Sequence, residues 1–155
     1  MAGKAPRPWT PTEERLGSII VRVMSVANIW IYRLTGGWLG GTFLRGAPIC
    51  FVTVTGRKSG RAITVPLLYL ADGADVIIVA SKGGMSKHPV WYLNLEATPR
   101  CEVEYGGTRR TMIARRVGKG EKAALWPRLC TMYPDYADYQ ARTTRDIPVL
   151  RLSPA

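Results

Sequence analysis

Six short runs rich in β-branched and aromatic residues, bounded by glycines or by a basic turn, are interrupted only by brief helical segments. There is no strand-helix-strand alternation of the kind that builds parallel sheets. This predicts an α+β fold: about six mostly antiparallel strands closing a barrel, with helices outside it. At 155 residues, 46% of them hydrophobic, the chain is one domain with a sizeable core.

Residues 1–9, with cations at Lys4 and Arg7, are expected to be a mobile tail, and 10–155 the single domain. Thr10-Pro11-Thr12-Glu13 has the form of a capping box, with Pro11 at the first helical position, so a helix is predicted over 10–35. Leu16, Ile19, Ile20, Val23, Ala27, Trp30 and Leu34 recur at helical spacing, which makes that helix amphipathic. Packing of this stripe on the body of the protein is the default; a membrane interface, helped by Arg22, Arg33 and the basic tail, is the alternative. Arg22 and Arg33 interrupt the apolar run and argue against a membrane span.

Five glycines between Gly36 and Gly46 mark a loop. The predicted strands are Ile49–Thr55, Ile63–Leu70, Val76–Ala80, Cys101–Tyr105, Thr108–Arg116 and Ile147–Leu152, with hairpin turns at Asp72-Gly73 and Gly106-Gly107. Helices are predicted over His88–Ala97, with Pro89 in the first turn, and over Glu121–Met132.

The balance of 22 Lys and Arg against 11 Asp and Glu, net +11, favours an anionic partner. Cys50, Cys101 and Cys130 are odd in number and widely spaced, which indicates neither a disulfide framework nor a metal site and points to a reducing compartment. The N-terminus lacks the apolar core of a signal peptide, so a cytoplasmic location is expected. The lone His88 has no second ligand to complete a metal site.

Two clusters of cations sit at strand ends. Arg57, Lys58 and Arg61, with Ser59, lie in a turn flanked by Gly56 and Gly60; Lys82 and Lys87 follow the third strand, beside Ala80, Ser81, Gly83 and Gly84. Positive side chains and exposed backbone N–H groups at such places suit a phosphate, although the spacing of a P-loop is absent and a polar hairpin turn is the plain alternative. Tyr133, Tyr136 and Tyr139 recur at intervals of three on a helical turn, suited to a pocket wall that stacks on planar substrates or to a surface aromatic cluster.

The run T-G-R-K-S-G, the run A-S-K-G-G followed by K-H-P-V-W-Y-L-N-L, and the late T-M-Y-P-D-Y-A-D-Y appear in that order over residues 47–150. Together they resemble the deazaflavin-dependent nitroreductase family, actinobacterial reductases that use the reduced coenzyme F420. The resemblance implies the split β-barrel of flavin-type reductases. It further implies that Arg57, Lys58, Ser59 and Arg61 hold the coenzyme's phosphate and oligoglutamate tail. Ile63, Pro66, Leu68, Val79, Ala80, Ser81, Lys82 and the segment Val90, Trp91, Tyr92, Leu93 and Asn94 would line the cofactor groove. Ser81, Tyr133 and Tyr136 would stand at the reacting centre, Tyr136 also against the cofactor, and Tyr133, Tyr136 and Tyr139 would bind the substrate. At Ile63 the chain departs from the family, which often carries a further cation there.

The implied reaction is hydride transfer to a quinone, an activated carbon-carbon double bond such as an enone, or a nitroaromatic, with no metal. Three other readings remain at this stage: an FMN-binding split barrel, a basic nucleic-acid module, and a peripheral protein on an anionic membrane. The nucleic-acid reading is disfavoured, because aromatic and basic residues are not interleaved on strands.

Overall fold

The computed structural model describes residues 6–36 and 46–155. Six strands form a closed antiparallel barrel in the order β1-β2-β3-β6-β5-β4: β1 Ile49–Thr55, β2 Ala62–Asp72, β3 Asp75–Val79, β4 Arg100–Tyr105, β5 Thr108–Arg116 and β6 Val149–Pro154. Among the described residues four α-helices lie outside it: α1 Pro11–Leu34, α2 Val90–Ala97, α3 Lys119–Met132 and α4 Asp135–Arg142. The barrel interior is filled by Val52, Val54, Val76, Ile78, Val103, Met112 and Leu152, all buried. A second cluster, with Ile77, Leu125, Leu129, Tyr133, Tyr136 and Ile147, joins the outer face of β3 to α3 and α4.

Local chemistry explains most boundaries. The Thr10 hydroxyl accepts from the Glu13 N–H while the Glu13 carboxylate accepts from the Thr10 N–H, so the capping box forms. Helix α2 starts at Val90 rather than His88, because Pro89 sits extended as its N-cap and a residue before proline is pushed out of the helical region. The last strand begins two residues later than expected. Ile147 spends its N–H on Gln140, and the Pro148 carbonyl accepts from Ala80.

The position of the apolar stripe of α1 is a correction. Ser18, Ser25, Ile29 and Tyr32 are the partly or fully buried side of the helix; the Tyr32 ring stacks on Phe51 at 4.2 Å, and Glu14 accepts from Ser86. Leu16, Ile20, Val23, Trp30 and Leu34 are between 49% and 77% exposed. The default expectation that this stripe packs on the body is therefore reversed, since a different face, with Ile29 and Tyr32 in an apolar cluster and Ser18 and Ser25 beside them, meets the barrel.

The tail also departs from expectation where it is described. Trp9 donates its ring N–H to the Gly83 carbonyl at 2.7 Å and lies under the Arg142 guanidinium, and Arg7 pairs with Glu13. Residues 1–5 and most of the predicted glycine-rich loop, 37–45, lie outside the described residues.

Candidate active site

Strand register leaves one edge of β2 without a ladder partner, and this open edge is the candidate groove. The ladder between β1 and β2 runs from Ile49 opposite Leu68 to Thr55 opposite Ala62, whereas β3 meets β2 only from Asp72 to Tyr69. Residues 62–68 of β2 therefore have a ladder on one side only, over roughly 20 Å at about 3.3 Å per residue. Tyr69 donates its N–H toward the β1 side, to the Pro48 carbonyl. By alternation Pro66 faces the open edge, where its missing N–H costs no ladder bond.

The basic turn stands at one end of this edge. Gly56 and Arg61 close it, N–H to carbonyl at 2.8 Å, and a Cβ on Gly56 would come within 2.6 Å of the Ser59 hydroxyl and 3.1 Å of Ile63. Ile63, where the family often has a cation, is thus a packing residue of the turn. Asn94 is buried, and its side-chain carbonyl accepts the Arg57 N–H at 3.1 Å, so α2 is tied to the turn. Arg57, Lys58 and Arg61 are exposed, with no carboxylate partner among the described residues. By contrast, Arg109, Arg115, Arg116, Lys122, Arg128 and Arg151 all pair with acids. These three cations are available to an external anion.

The loop after β3 stands at the other end. Ser81 is right-handed and Lys82 left-handed at φ 45°, followed by Gly83 and Gly84 at 62° and 75°. A right-to-left alternation of this kind turns successive N–H groups inward, as in anion-binding nests. Lys82 adopts a conformation that costs a non-glycine residue about 1 kcal/mol or more, the kind of strain that gathers at working sites. Trp91 and Leu93 pack against the barrel interior, as do Val65 and Leu67 of the open stretch of β2. Val90 is largely exposed, and Val79 and Leu68 pack in the second cluster.

Tyr92 goes elsewhere. Its ring is buried in the barrel interior, and its hydroxyl donates to Glu96 and accepts from Arg116. It borders a cavity of about 180 Å³ between α2 and β5, whose walls include Glu96, Pro99 and Arg116. Those polar groups already satisfy one another, and the cavity is not part of the groove.

The tyrosines do not share one helix. Tyr133 is extended and closes α3, while Tyr136 and Tyr139 lie on α4. The three rings nonetheless pack together at centroid distances of 5.1 to 6.3 Å, and the Tyr133 and Tyr139 hydroxyls lie 3.2 Å apart. Tyr133 and Tyr136 are buried and Tyr139 is partly exposed, so solvent meets the cluster at Tyr139. Burial pushes the Tyr133 and Tyr136 phenols well above their ordinary values; for Tyr133 the bond to Tyr139 adds to this. Such phenols orient a partner by donating a hydrogen bond and do not act as bases near neutral pH. Burial likewise raises the Cys101 thiol to about 11, out of nucleophile range.

Replacing Tyr133 by phenylalanine keeps the buried ring and removes only the hydroxyl. The expected loss is about 1 kcal/mol in thermal stability, with a fall in turnover of less than tenfold. A larger fall in steady-state turnover, at unchanged melting temperature, would give the hydroxyl a direct part in the reaction.

Sequence reasoning did not single out Arg145, which binds the Ser81 loop from the other side, nor the part Asn94 plays in tying α2 to the turn. Arg145 belongs to no motif. A polar residue flanked by apolar ones in the α2 segment was the one available signal for Asn94.

A closed six-stranded barrel with a cation-bordered groove along one strand edge defines a split-barrel protein of the flavin-reductase type. The chain belongs to the family described as F420H(2)-dependent quinone reductase, whose model matches residues 24–154. A curated F420H(2)-dependent quinone reductase of Mycobacterium tuberculosis (strain ATCC 25618 / H37Rv) is 37% identical over 126 residues, covering 79% of this chain and 85% of the relative. The solved structure of an F420-H2 dependent reductase, FDR-A, superposes with a TM-score of 0.64 at 39% identity over 68% of this chain and 94% of its own. A further solved structure, whose description gives only a domain-swapped dimer, superposes with a TM-score of 0.66 at 35% identity over 82% of this chain and 99% of its own.

The family makes reduced coenzyme F420 the cofactor, and the chain a deazaflavin-dependent oxidoreductase. Its residues fit that group: three acid-free cations meet the demand of a phosphate and an oligoglutamate tail, and an apolar, aromatic-bordered groove meets that of a flat ring.

Proposed function

We propose that this protein reduces quinones at the groove beside β2, with enones and nitroaromatics as secondary acceptors. The observation that carries the reading is the open strand edge, with unpaired cations at one end and the Ser81 loop and tyrosine cluster at the other. When bound, the coenzyme supplies a hydride donor. Arg57, Lys58 and Arg61 grip its anionic tail, with Ser59 shaping the turn. Pro66, Trp91 and Leu93 exclude water along the edge. Ser81 and Lys82 present a hydroxyl and a cation near the reacting end, where negative charge develops on an acceptor oxygen. Tyr139 is the aromatic surface an acceptor meets first, and the Tyr133 hydroxyl, 3.2 Å from that of Tyr139, fixes the orientation of the Tyr139 ring. Tyr133 and Tyr136 are buried, so the final proton comes from solvent or from the solvent-reached hydroxyl of Tyr139.

The test is a titration with reduced coenzyme, followed by single-turnover oxidation with a soluble quinone, an enone and a nitroaromatic. Rapid oxidation by the quinone supports the reading. Tight binding of FMN in place of the deazaflavin would replace it with a flavin split barrel.

The exposed face of α1 belongs to the same reading. No helix among the described residues is long and apolar enough to cross a membrane. Arg15, Arg22 and Arg33, seven and eleven residues apart, fall on one stripe flanking the apolar face. That arrangement suits an anionic bilayer surface, where a lipid-soluble quinone resides. Exchanging Val23 and Leu34 together for glutamate is expected to weaken sedimentation with phosphatidylcholine-phosphatidylglycerol vesicles at least tenfold, each apolar side chain contributing about 1.5 kcal/mol or more. Activity on a soluble quinone should be unchanged. Equal sedimentation of both forms would remove the membrane from this account.

A further inference from the structure

Arg145 lies in the segment between α4 and β6, and its guanidinium has no carboxylate within hydrogen-bond reach among the described residues. Every donor contact goes to one loop. Nη2 donates to the Ser81 carbonyl at 2.7 Å, Nε to the Met85 carbonyl at 2.8 Å, and Nη1 to the Ala80 carbonyl at 3.3 Å. Nη1 also lies 3.2 Å from His88 Nδ1. An arginine that is partly buried and bonds backbone carbonyls in place of an acid is serving geometry more than charge balance.

The residue is itself held on both sides. The Gln140 amide donates to the Arg145 carbonyl at 2.9 Å while its oxygen accepts from Ile147 at 3.0 Å, and the Arg145 N–H reaches the Thr143 hydroxyl at 3.3 Å. The loop it grips is the strained one, in which Lys82, Gly83 and Gly84 are successively left-handed. Such a run persists only where its surroundings over-determine it. From the far side, Trp9 and Glu14 hold the Gly83 carbonyl and the Ser86 N–H. Neither touches Ala80 or Ser81, whose carbonyls Arg145 takes.

We propose that Arg145 is the positioning residue of this site, a clamp that sets the loop from Ala80 to His88 so that the Ser81 hydroxyl and the Lys82 ammonium face the groove. Its effect on reaction rate rests on the deazaflavin reading above; its effect on the loop does not.

The single histidine of the chain supplies a readout independent of the coenzyme. A guanidinium donating to Nδ1 makes that nitrogen the bare acceptor and places the ring proton on Nε2. Desolvation, then Arg145 and Arg116, hold the imidazole below its ordinary 6.5, against Glu96 and Asp146. The experiment compares untagged parent protein with Arg145→Met and Arg145→Lys by imidazole and backbone amide NMR, and then by steady-state kinetics with reduced coenzyme and a soluble quinone. In Arg145→Met the Nδ1 signal should lose its hydrogen-bonded position, the His88 midpoint should rise by about half a unit or more, and the Ser81–Ser86 amides should move. At saturating coenzyme, kcat should fall at least about tenfold. The KM for the coenzyme should change less than about threefold, because the tail-binding turn is untouched. Arg145→Lys, keeping one or two donors, should recover part of the rate, and it serves the same comparison if the methionine variant does not fold.

Unmoved His88 and loop signals overturn the proposal. So does a displaced loop with an unchanged kcat, or a rate loss matched by the unfolded fraction. A displaced loop in a protein whose parent binds no deazaflavin would sink the functional reading and leave the clamp standing.

Discussion

Gly84→Ala is expected to destabilise the protein by roughly 2–5 kcal/mol and to abolish most of its activity. Two separate costs add. Gly84 has φ +75°, where a side chain costs about 1–2 kcal/mol. A Cβ there would also lie 2.4 Å from the Tyr139 carbonyl oxygen and 3.0 Å from its Cα and carbonyl carbon. Those atoms belong to the backbone of α4 and cannot swing aside, so the loop or the helix must shift, at about 1–3 kcal/mol for overpacking. At about 2–4 °C per kcal/mol for a chain of this size, the melting temperature should drop by roughly 4–20 °C. The same shift would part the Ser81 loop from Tyr139, the two elements placed at the reacting end in the proposed function.

Gly83→Ala separates the costs. Gly83 has φ +62°, and a Cβ there would have nothing within 4 Å, so alanine meets only the conformational penalty. A differential scan of the two variants measures the close approach directly. If both melt within about 2 °C of each other, α4 does not rest on the loop as described.

The fold was legible in the sequence because its signals are local. The capping box at Thr10, the turns at Asp72-Gly73 and Gly106-Gly107, and β-branched strands such as Ile49–Thr55 each depend on a few adjacent residues. Orientation was less legible. Periodicity marks an apolar stripe on α1 but not the side that meets the protein, which was decided by distant partners: Ser86 for Glu14, Met85 for Ser18 and Phe51 for Tyr32.

The tyrosines show a related limit. Their spacing of three reads as one helical face, yet Tyr133 leaves the helix at the corner before Pro134, and burial in the second apolar cluster gathers the rings instead. Within the α2 segment, composition could not separate Tyr92, which turns into the barrel, from Asn94, which ties to the basic turn. Arg145 was invisible for a deeper reason: its partners are backbone carbonyls, and no residue type records where a carbonyl will point.

The basic turn, conversely, is written in adjacent residues, and the structure sharpens the expected result of disarming it. Replacing Arg57 and Lys58 together by alanine should weaken binding of the reduced coenzyme by about 3 kcal/mol, near the lower end for two charge-assisted hydrogen bonds because both side chains are solvent-exposed. At about 1.4 kcal/mol per decade that is roughly a hundredfold in Kd. Stability should barely change, since neither side chain has a partner among the described residues to lose. The turn's own bonds, Gly56 to Arg61 and Asn94 to the Arg57 N–H, run through backbone and survive the exchange. Added salt should weaken binding by the parent far more than by the double variant, as screening demands of exposed charges. The turnover number at saturating coenzyme should also hold, because the turn lies before Ala62 at one end of the open edge of β2 and the Ser81 loop follows β3, whose ladder with β2 covers only Tyr69 to Asp72 at the other end. A fluorescence titration of each form at low and high salt decides the matter. A change below about fivefold at physiological salt would remove the turn from the tail site, whereas a matching loss of turnover at saturation would mean that the cations reach the reacting end.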